Sequence, residues 1–316
     1  MTRDLAASVR GRLLRQAKES GRPLQELLQY FAMERFLFRL SRSEHADRFV
    51  LKGALMFRVW GTPQTRATRD IDLLARADNS VDSMTQIMRS VCEHAVAPDG
   101  VIFHGQSVQG IAIKEDADYL GVRVTFLATI QNARLPMQID IGFGDVVNPA
   151  AIAIAYPAML DFEPAKLIGY PRETVIAEKF EAMVKLGQLN SRMKDFYDIL
   201  ILSRQFAFDG ESLATAISAT FRNRGTTAKA NPPAFSNEFA NDPGKQIQWA
   251  SFIRKSKLSD VPDALADAIR EIAGFLNPIA KAIESNEPFA ATWIPGSGWI
   301  KSQPPANSGR AVGGTE

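Results

Sequence analysis

The sequence predicts an α/β or α+β protein, with a sheet covered by helices followed by a mostly helical half. Three observations carry this prediction. Runs that alternate in polarity or are rich in β-branched residues crowd residues 101 to 141. Apolar residues at helical spacing dominate both ends of the chain. Between them, Asp70-Ile-Asp-Leu-Leu forms a strand flanked by short helical stretches.

In chain order, residues 4 to 40 are helical. Leu5, Val9, Leu13 and Leu14 set the pattern, Ser20-Gly-Arg-Pro23 breaks it, and Leu24, Leu27, Leu28, Phe31 and Phe36 resume it. Arg3, Arg10, Arg12, Arg15 and Lys18 share this stretch, either as a solvated helix face or as a phosphate-facing stripe. A short helix from Gly53 to Trp60 precedes the Asp70 strand, and Val81 to His94 is an amphipathic helix. Strands follow at 101–103, 108–113, 122–127 and 137–141, with Asn132 to Pro136 joining the last two. Residues 174 to 189 and 192 to 206 form two helices, and an irregular stretch rich in Asn, Pro and Gly covers 222 to 245. Leu265, Ile269, Ile272, Leu276, Ile279 and Ile283 mark the final helix. The expected organisation is a helical segment at 1–48 packing on the core, a sheet domain at 49–160, a helical domain at 161–290 and a flexible tail at 291–316.

Composition sets broad limits. The chain has 316 residues, 46% hydrophobic and 23% charged, enough for one large domain or two with a real core. A net charge of +2 is too small to indicate nucleic-acid binding by itself. Cys92, the single cysteine, excludes an intramolecular disulfide and fits a reducing cytoplasm; at its position it reads as a small buried residue. The first residues lack the apolar run of a signal peptide. The most apolar stretch, Val146 to Leu160, is interrupted by Asn148, Pro149 and Pro157, so no membrane partner is expected.

The chemistry centres on Asp70 and Asp72. Spaced i, i+2 on a strand, both side chains project to one face, where they repel each other unless a cation such as Mg²⁺ takes oxygens from both. Upstream lies Lys52-Gly53-Ala54, where a glycine lets the backbone come close to a phosphate. A small turn followed by Asp-x-Asp resembles the entry layout of a nucleotidyltransferase site. Asp140 interrupts an otherwise apolar strand, as a third metal carboxylate or as a salt-bridged strand-end residue. Asp145, after Gly144, reads as a turn or cap residue. Lys179 flanks a buried helix face and either reaches a triphosphate or snorkels to solvent. Asp195 and Asp198 share a helix face with Arg192, as a simple ion-pair network or as the source of a carboxylate that holds Lys179 or orients a nucleotide. Phe221-Arg-Asn-Arg-Gly and Ile253-Arg-Lys-Ser-Lys are either RNA-backbone contacts or solvated charge. His45, His94 and His104 form no cluster, which argues against zinc.

Phe49-Val-Leu-Lys-Gly-Ala-Leu, Arg66-Ala-Thr-Arg-Asp-Ile-Asp-Leu-Leu, Ile139-Asp-Ile-Gly-Phe-Gly-Asp, Glu178-Lys-Phe-Glu-Ala-Met-Val-Lys-Leu-Gly and Ser191-Arg-Met-Lys-Asp-Phe-Tyr-Asp occur in that order. Over roughly residues 25 to 260 this set resembles the AbiEii/AbiGii-type nucleotidyltransferase toxins, the toxin halves of bacterial abortive-infection toxin–antitoxin pairs. The resemblance implies an α+β, DNA-polymerase-β-like nucleotidyltransferase domain, a mixed sheet with helices, followed by a helical C-terminal domain. It implies transfer of a nucleotide from an NTP with Mg²⁺, or Mn²⁺ in its place. In characterised relatives the acceptor is the tRNA end or the protein itself, and a cytoplasmic setting with a cognate antitoxin is implied as well. Carried over, Asp70, Asp72, Lys179, Asp195 and Asp140 are catalytic, and Asp70, Asp72 and Asp140 hold metal. Lys52, Gly53, Ala54, Arg66 and Thr68 bind the nucleotide. Ala54 departs from the pattern, since the wider superfamily usually has a serine there that contacts the triphosphate. Two other readings share these residues: a catalytically silent nucleotide-binding or protein-interaction module, and a Mg²⁺-dependent nuclease or phosphohydrolase.

Overall fold

The computed structural model describes residues 2–62, 66–76, 78–116 and 119–301. Two long helices open the chain, α1 (Thr2–Ser20) and α2 (Leu24–Arg42). Strand β1 (Phe49–Lys52), the one-turn helix α3 (Leu55–Val59), β2 (Asp70–Ala75) and α4 (Val81–Glu93) follow. Three long strands, β3 (Ile102–Asp116), β4 (Tyr119–Ile130) and β5 (Ala133–Phe143), form a meander. A hairpin, β6 (Ile152–Tyr156) and β7 (Ala165–Gly169), completes a seven-stranded sheet in the order β3-β4-β5-β2-β1-β7-β6. The sheet is mixed: β2 runs parallel to β5 and β1 parallel to β7, and the other pairs are antiparallel.

The helical half comprises α5 (Arg172–Leu186), α6 (Met193–Gln205), α7 (Gly210–Asn223), α8 (Asn237–Asn241), α9 (Pro243–Ser256) and α10 (Leu265–Glu284). A small antiparallel sheet joins β8 (Phe208–Asp209) to the hairpin β9 (Ala291–Ile294) and β10 (Gly298–Lys301). The protein is therefore α+β, with a mixed sheet and a helical C-terminal region. Among the described residues no helix is long and apolar enough to cross a membrane.

Alternation along the strands builds two cores, one on each side of the sheet. Phe49, Leu51, Ile71, Leu73, Ile139 and Ile141 face α1, α2 and α4. Val50 and Leu74, on the opposite face, pack into the helical half with Tyr170, Ile176 and Phe180. That second face carries the functional consequence. Val50 pairs with Leu74 and, one pleat further, Lys52 pairs with Asp72. The face is thus apolar where the helical half covers it and charged where the cover ends.

Several expectations need correction. The runs at 101–103 and 108–113 form one strand, β3, with an irregularity between His104 and Gln109. Residues 133–136 belong to β5, and the turn is Gln131-Asn132, with Gln131 at φ 54°. The sheet extends to Gly169, so a boundary at 160 cuts through the β6–β7 hairpin. Helix α9 begins inside the stretch expected to be irregular because Asp242 caps it, accepting from the Lys245 N–H at 2.8 Å. Residues 291–301 are packed structure: Trp293 and Trp299 lie against Phe275 of α10 with ring centroids 4.8 and 5.7 Å away. Their indole N–H groups donate to the carbonyls of Ser203 and Phe275. The rest of the expected tail, 302–316, lies outside the described residues. Arg10 and Arg15 are exposed on the helix that covers the face opposite Asp72, as a solvated face would be, and Arg12 pairs with Asp161.

Candidate active site

Asp70 and Asp72 lie on β2, and the parallel neighbour β5 brings Asp140 level with Asp72. The carboxylates of all three offer oxygens within 4.8 Å of one another. Burial, reinforced by Asp70 alongside, pushes the Asp72 carboxyl up to about 6. Three acidic oxygens this close, one on a carboxyl that resists ionisation, form a donor set suited to a hard divalent cation.

The Thr68 hydroxyl donates to Asp70 Oδ1, while its backbone N–H donates to the Tyr30 hydroxyl at 3.0 Å. Thr68 thus aims a carboxylate and lies off the cavity wall, where a nucleotide contact was expected. Thr68→Val should lower transfer about tenfold with the melting temperature nearly unchanged, the scale of one hydrogen bond to a charged group. Steady-state rates and a thermal melt on the same preparation test this.

Gly53 closes the site from below. Its φ is +70°, and an added Cβ would stand 1.9 Å from Asp72 Oδ2. The glycine therefore presses backbone directly against the carboxylate. Ala54 follows as a buried cap on α3 and offers no hydroxyl. Lys52 lines the same cavity with its ammonium engaged, donating to Asp145 Oδ2 at 2.8 Å with Glu178 at 3.9 Å.

The opposite wall comes from the helical half. Lys179 of α5 bridges Asp195 Oδ1 at 2.8 Å and Asp198 Oδ2 at 2.7 Å, both on α6. Arg66 closes on Asp198 with two donors at 3.0 and 3.1 Å, and Arg192 Nε meets Asp195 Oδ2 at 2.6 Å. Both aspartates are fully buried. Burial alone would push these carboxyls up, but their cations hold them below the usual range; for Asp195, Lys179 is the larger influence. Burial likewise pulls Lys179 down, and Asp195 with Asp198 outweighs it, so the ammonium stays charged. Arg66, expected on the nucleotide, instead locks the helix that positions Lys179.

A second buried network was not foreseen. Asp145 is no turn residue: it is buried between Lys52 and Arg224, the latter at 2.9 Å. Arg224 also reaches Glu181 at 3.1 Å. Of the two basic segments, the first therefore contributes an arginine to the fold. Cys92 is buried and burial pushes its thiol up to about 12, far from a reactive thiolate.

A cavity of about 570 Å³ separates the two walls. Its lining brings together Lys52, Gly53, Arg66, Asp70, Asp72, Asp140, Lys179 and Asp195, and leaves out Ala54 and Thr68. It adds Lys194, an exposed lysine that sequence reasoning passed over, although it precedes Asp195 directly. Acidic floor, cationic wall and a volume for a nucleotide make a site for transfer at a phosphate.

A family model described as "Nucleotidyl transferase AbiEii toxin, Type IV TA system" matches residues 35–273, which include every residue of the cavity wall. The chain belongs to the AbiEii nucleotidyltransferase toxin family. An AbiEii chain is a nucleotidyltransferase, and its type IV toxin–antitoxin setting comes with the family. Two crystal structures are similar. One is JHP933 from Helicobacter pylori, at 15% identity and TM-score 0.45, over 83% of this chain and 93% of that one. The other is a putative nucleotidyltransferase from H. pylori, at 16% and 0.46, over 84% and 99%. Among curated proteins none matches.

Proposed function

We propose that this AbiEii chain moves a nucleoside monophosphate from an NTP onto an RNA acceptor, tRNA, and thereby blocks translation. It works in the cytoplasm as the toxin that a cognate antitoxin restrains. The observation that carries this reading is the facing of three clustered carboxylates, Asp70, Asp72 and Asp140, by the buried ammonium of Lys179.

Asp70 and Asp72 would hold Mg²⁺, or Mn²⁺ in its place, with Asp140 as the third ligand. The bound ions would supply Lewis acidity at the acceptor hydroxyl and charge neutralisation at the triphosphate. The acceptor hydroxyl releases its proton to solvent as its oxygen attacks the α-phosphorus, the bond to the β-phosphate breaks, and pyrophosphate leaves. Lys179 has three N–H donors, of which Asp195 and Asp198 take two; the third serves a phosphate oxygen. Lys194, exposed at the mouth, adds a cation for the leaving pyrophosphate. Gly53 lets the phosphates approach the backbone next to Asp72.

The test is incubation with Mg²⁺ and each α-labelled NTP in turn, with and without total tRNA, beside the Asp72→Asn variant. Label moving into tRNA with the wild type alone is the expected result. Label in the protein only would replace the acceptor, and orthophosphate or cut RNA would replace transfer with hydrolysis. No label from any NTP would favour the silent module.

A further inference from the structure

Asp140 is held in a way that its two partners are not. Arg123 Nε and Nη2 donate to its two oxygens at 2.7 and 2.8 Å, and Gln138 Nε2 donates to both at 3.2 Å. A carboxylate has about four lone-pair directions, and these contacts occupy most of them. Asp140 is thus satisfied by an arginine at the position where it would otherwise complete the cation site.

The arginine stands on a boundary. Strand register places Asp72, Asp140, Arg123 and Ile111 in one row across β2, β5, β4 and β3. The next row is Asp70, Gln138, Thr125 and Gln109. Beyond Arg123 the sheet is open among the described residues: Ile111 is 58% exposed, and Gln109 and Thr125 are exposed as well. Arg123 itself is 37% exposed, so its guanidinium meets the cleft on one side and the open ledge on the other. Arg134, also exposed, lies on the same face of β5, about 20 Å from Asp140 at roughly 3.4 Å per residue. A polyanionic strand on this ledge would meet both arginines.

We propose that Arg123 is a latch: it holds Asp140 off the cation site until a phosphodiester of the acceptor strand, lying on the open face of β3 to β5, draws the guanidinium away. This rests on the reading of the site as one that modifies an RNA acceptor. The exchange is chemically even, because guanidinium pairs with phosphate in the same two-donor fork that it uses with carboxylate. Solvent reaches the pair from the arginine's side, with Arg123 at 37% exposure and Asp140 at 10%, so an incoming phosphate can compete for the guanidinium. Arg123 is a positioning residue acting through Asp140, and it makes the third ligand conditional on the acceptor, so that NTP alone meets an incomplete site.

The experiment measures Mn²⁺ binding to the full chain by the loss of the free-ion paramagnetic resonance signal, without NTP or RNA. Arg123→Gln should bind Mn²⁺ about fivefold more tightly than wild type, the low end of ordinary coupling between sites. Asp140→Asn should leave wild-type affinity nearly unchanged but cancel the gain in the double variant. Fluorescently labelled tRNA, followed by anisotropy, should bind Arg123→Gln more weakly, and Mn²⁺ should tighten that binding more for wild type than for the variant. Equal Mn²⁺ affinities of wild type and Arg123→Gln would overturn the latch and leave the carboxylate site standing. So would an Asp140→Asn loss as large as that of Asp72→Asn. No Mn²⁺ binding by any form would overturn the carboxylate reading itself, and the latch with it.

Discussion

Asp72→Asn should abolish nucleotide transfer and at the same time raise the melting temperature of the metal-free protein at pH 7. The first effect follows from removing a carboxylate at the centre of the site, a loss on the order of a thousandfold for a group aimed at developing charge. The second follows from the same carboxylate's environment. Unfolded, the group titrates near the ordinary aspartate value of about 3.9; in the folded site, burial and Asp70 push it up to about 6. Between those values the folded chain binds the proton more tightly than the unfolded chain does. The contribution of Asp72 to the stability of the metal-free protein is therefore least unfavourable below about pH 4, worsens as pH rises to about 6, and is flat above. At neutral pH the wild type carries the whole penalty, on the order of 2 kcal/mol once solvent screening is allowed for. Lys52 attracts the Asp72 carboxylate, yet the net shift is upward, so burial and repulsion outweigh that attraction. Asparagine keeps the shape and removes the charge. Millimolar Mg²⁺ should reverse the ranking, because it stabilises the form that binds it and leaves the variant untouched. Melts at pH 5 and pH 7, in chelator and in Mg²⁺, decide the matter; a variant that melts below wild type in chelator at pH 7 would contradict this account.

The legible part of the site was the part written locally. Asp70 and Asp72 share a strand, and the period of two alone puts them on one face. Lys179 and the Asp195–Asp198 pair each sit on one helix, where spacing of three or four fixes the side. What spacing cannot convey is which distant charge meets which. Asp145 after Gly144 has the local signature of a turn, and it takes Lys52, 93 residues earlier, and Arg224, 79 residues later, to make its side chain a buried ion-pair partner. Lys52 and Arg66 sit next to the predicted phosphate turn and carboxylates, yet Lys52 is claimed by Asp145, just past β5, and Arg66 by Asp198 of the far wall. Strands β6 and β7 stayed hidden because they are short, and hairpin β9–β10 because Pro, Gly and Ser around it give the composition of a tail. Trp293 and Trp299 were the only hint there. Two indoles seldom stay in solvent when an apolar helix such as α10 is near.

Gly53→Ala should nearly eliminate transfer, and Gly61→Ala shows why. Both glycines have φ near +70°, so alanine at either should cost about 1 kcal/mol of backbone strain. Gly61 has nothing within 4 Å of its added Cβ, so its variant should lose that stability and keep its rate. At Gly53 the new methyl would stand 1.9 Å from Asp72 Oδ2, closer than any real contact allows. Either the Lys52-Gly53-Ala54 turn moves or the Asp72 carboxylate swings aside, and neither leaves the three acidic oxygens together. A displacement of about 1 Å at reacting groups is enough for a hundredfold loss, so the rate should fall by at least that much while the melt drops only slightly more than for Gly61→Ala. The pair of variants separates conformational strain, which they share, from close approach, which only Gly53 has. A Gly53→Ala protein with wild-type transfer would mean that Asp72 works without backbone pressed against it. The glycine would then be explained by its φ alone.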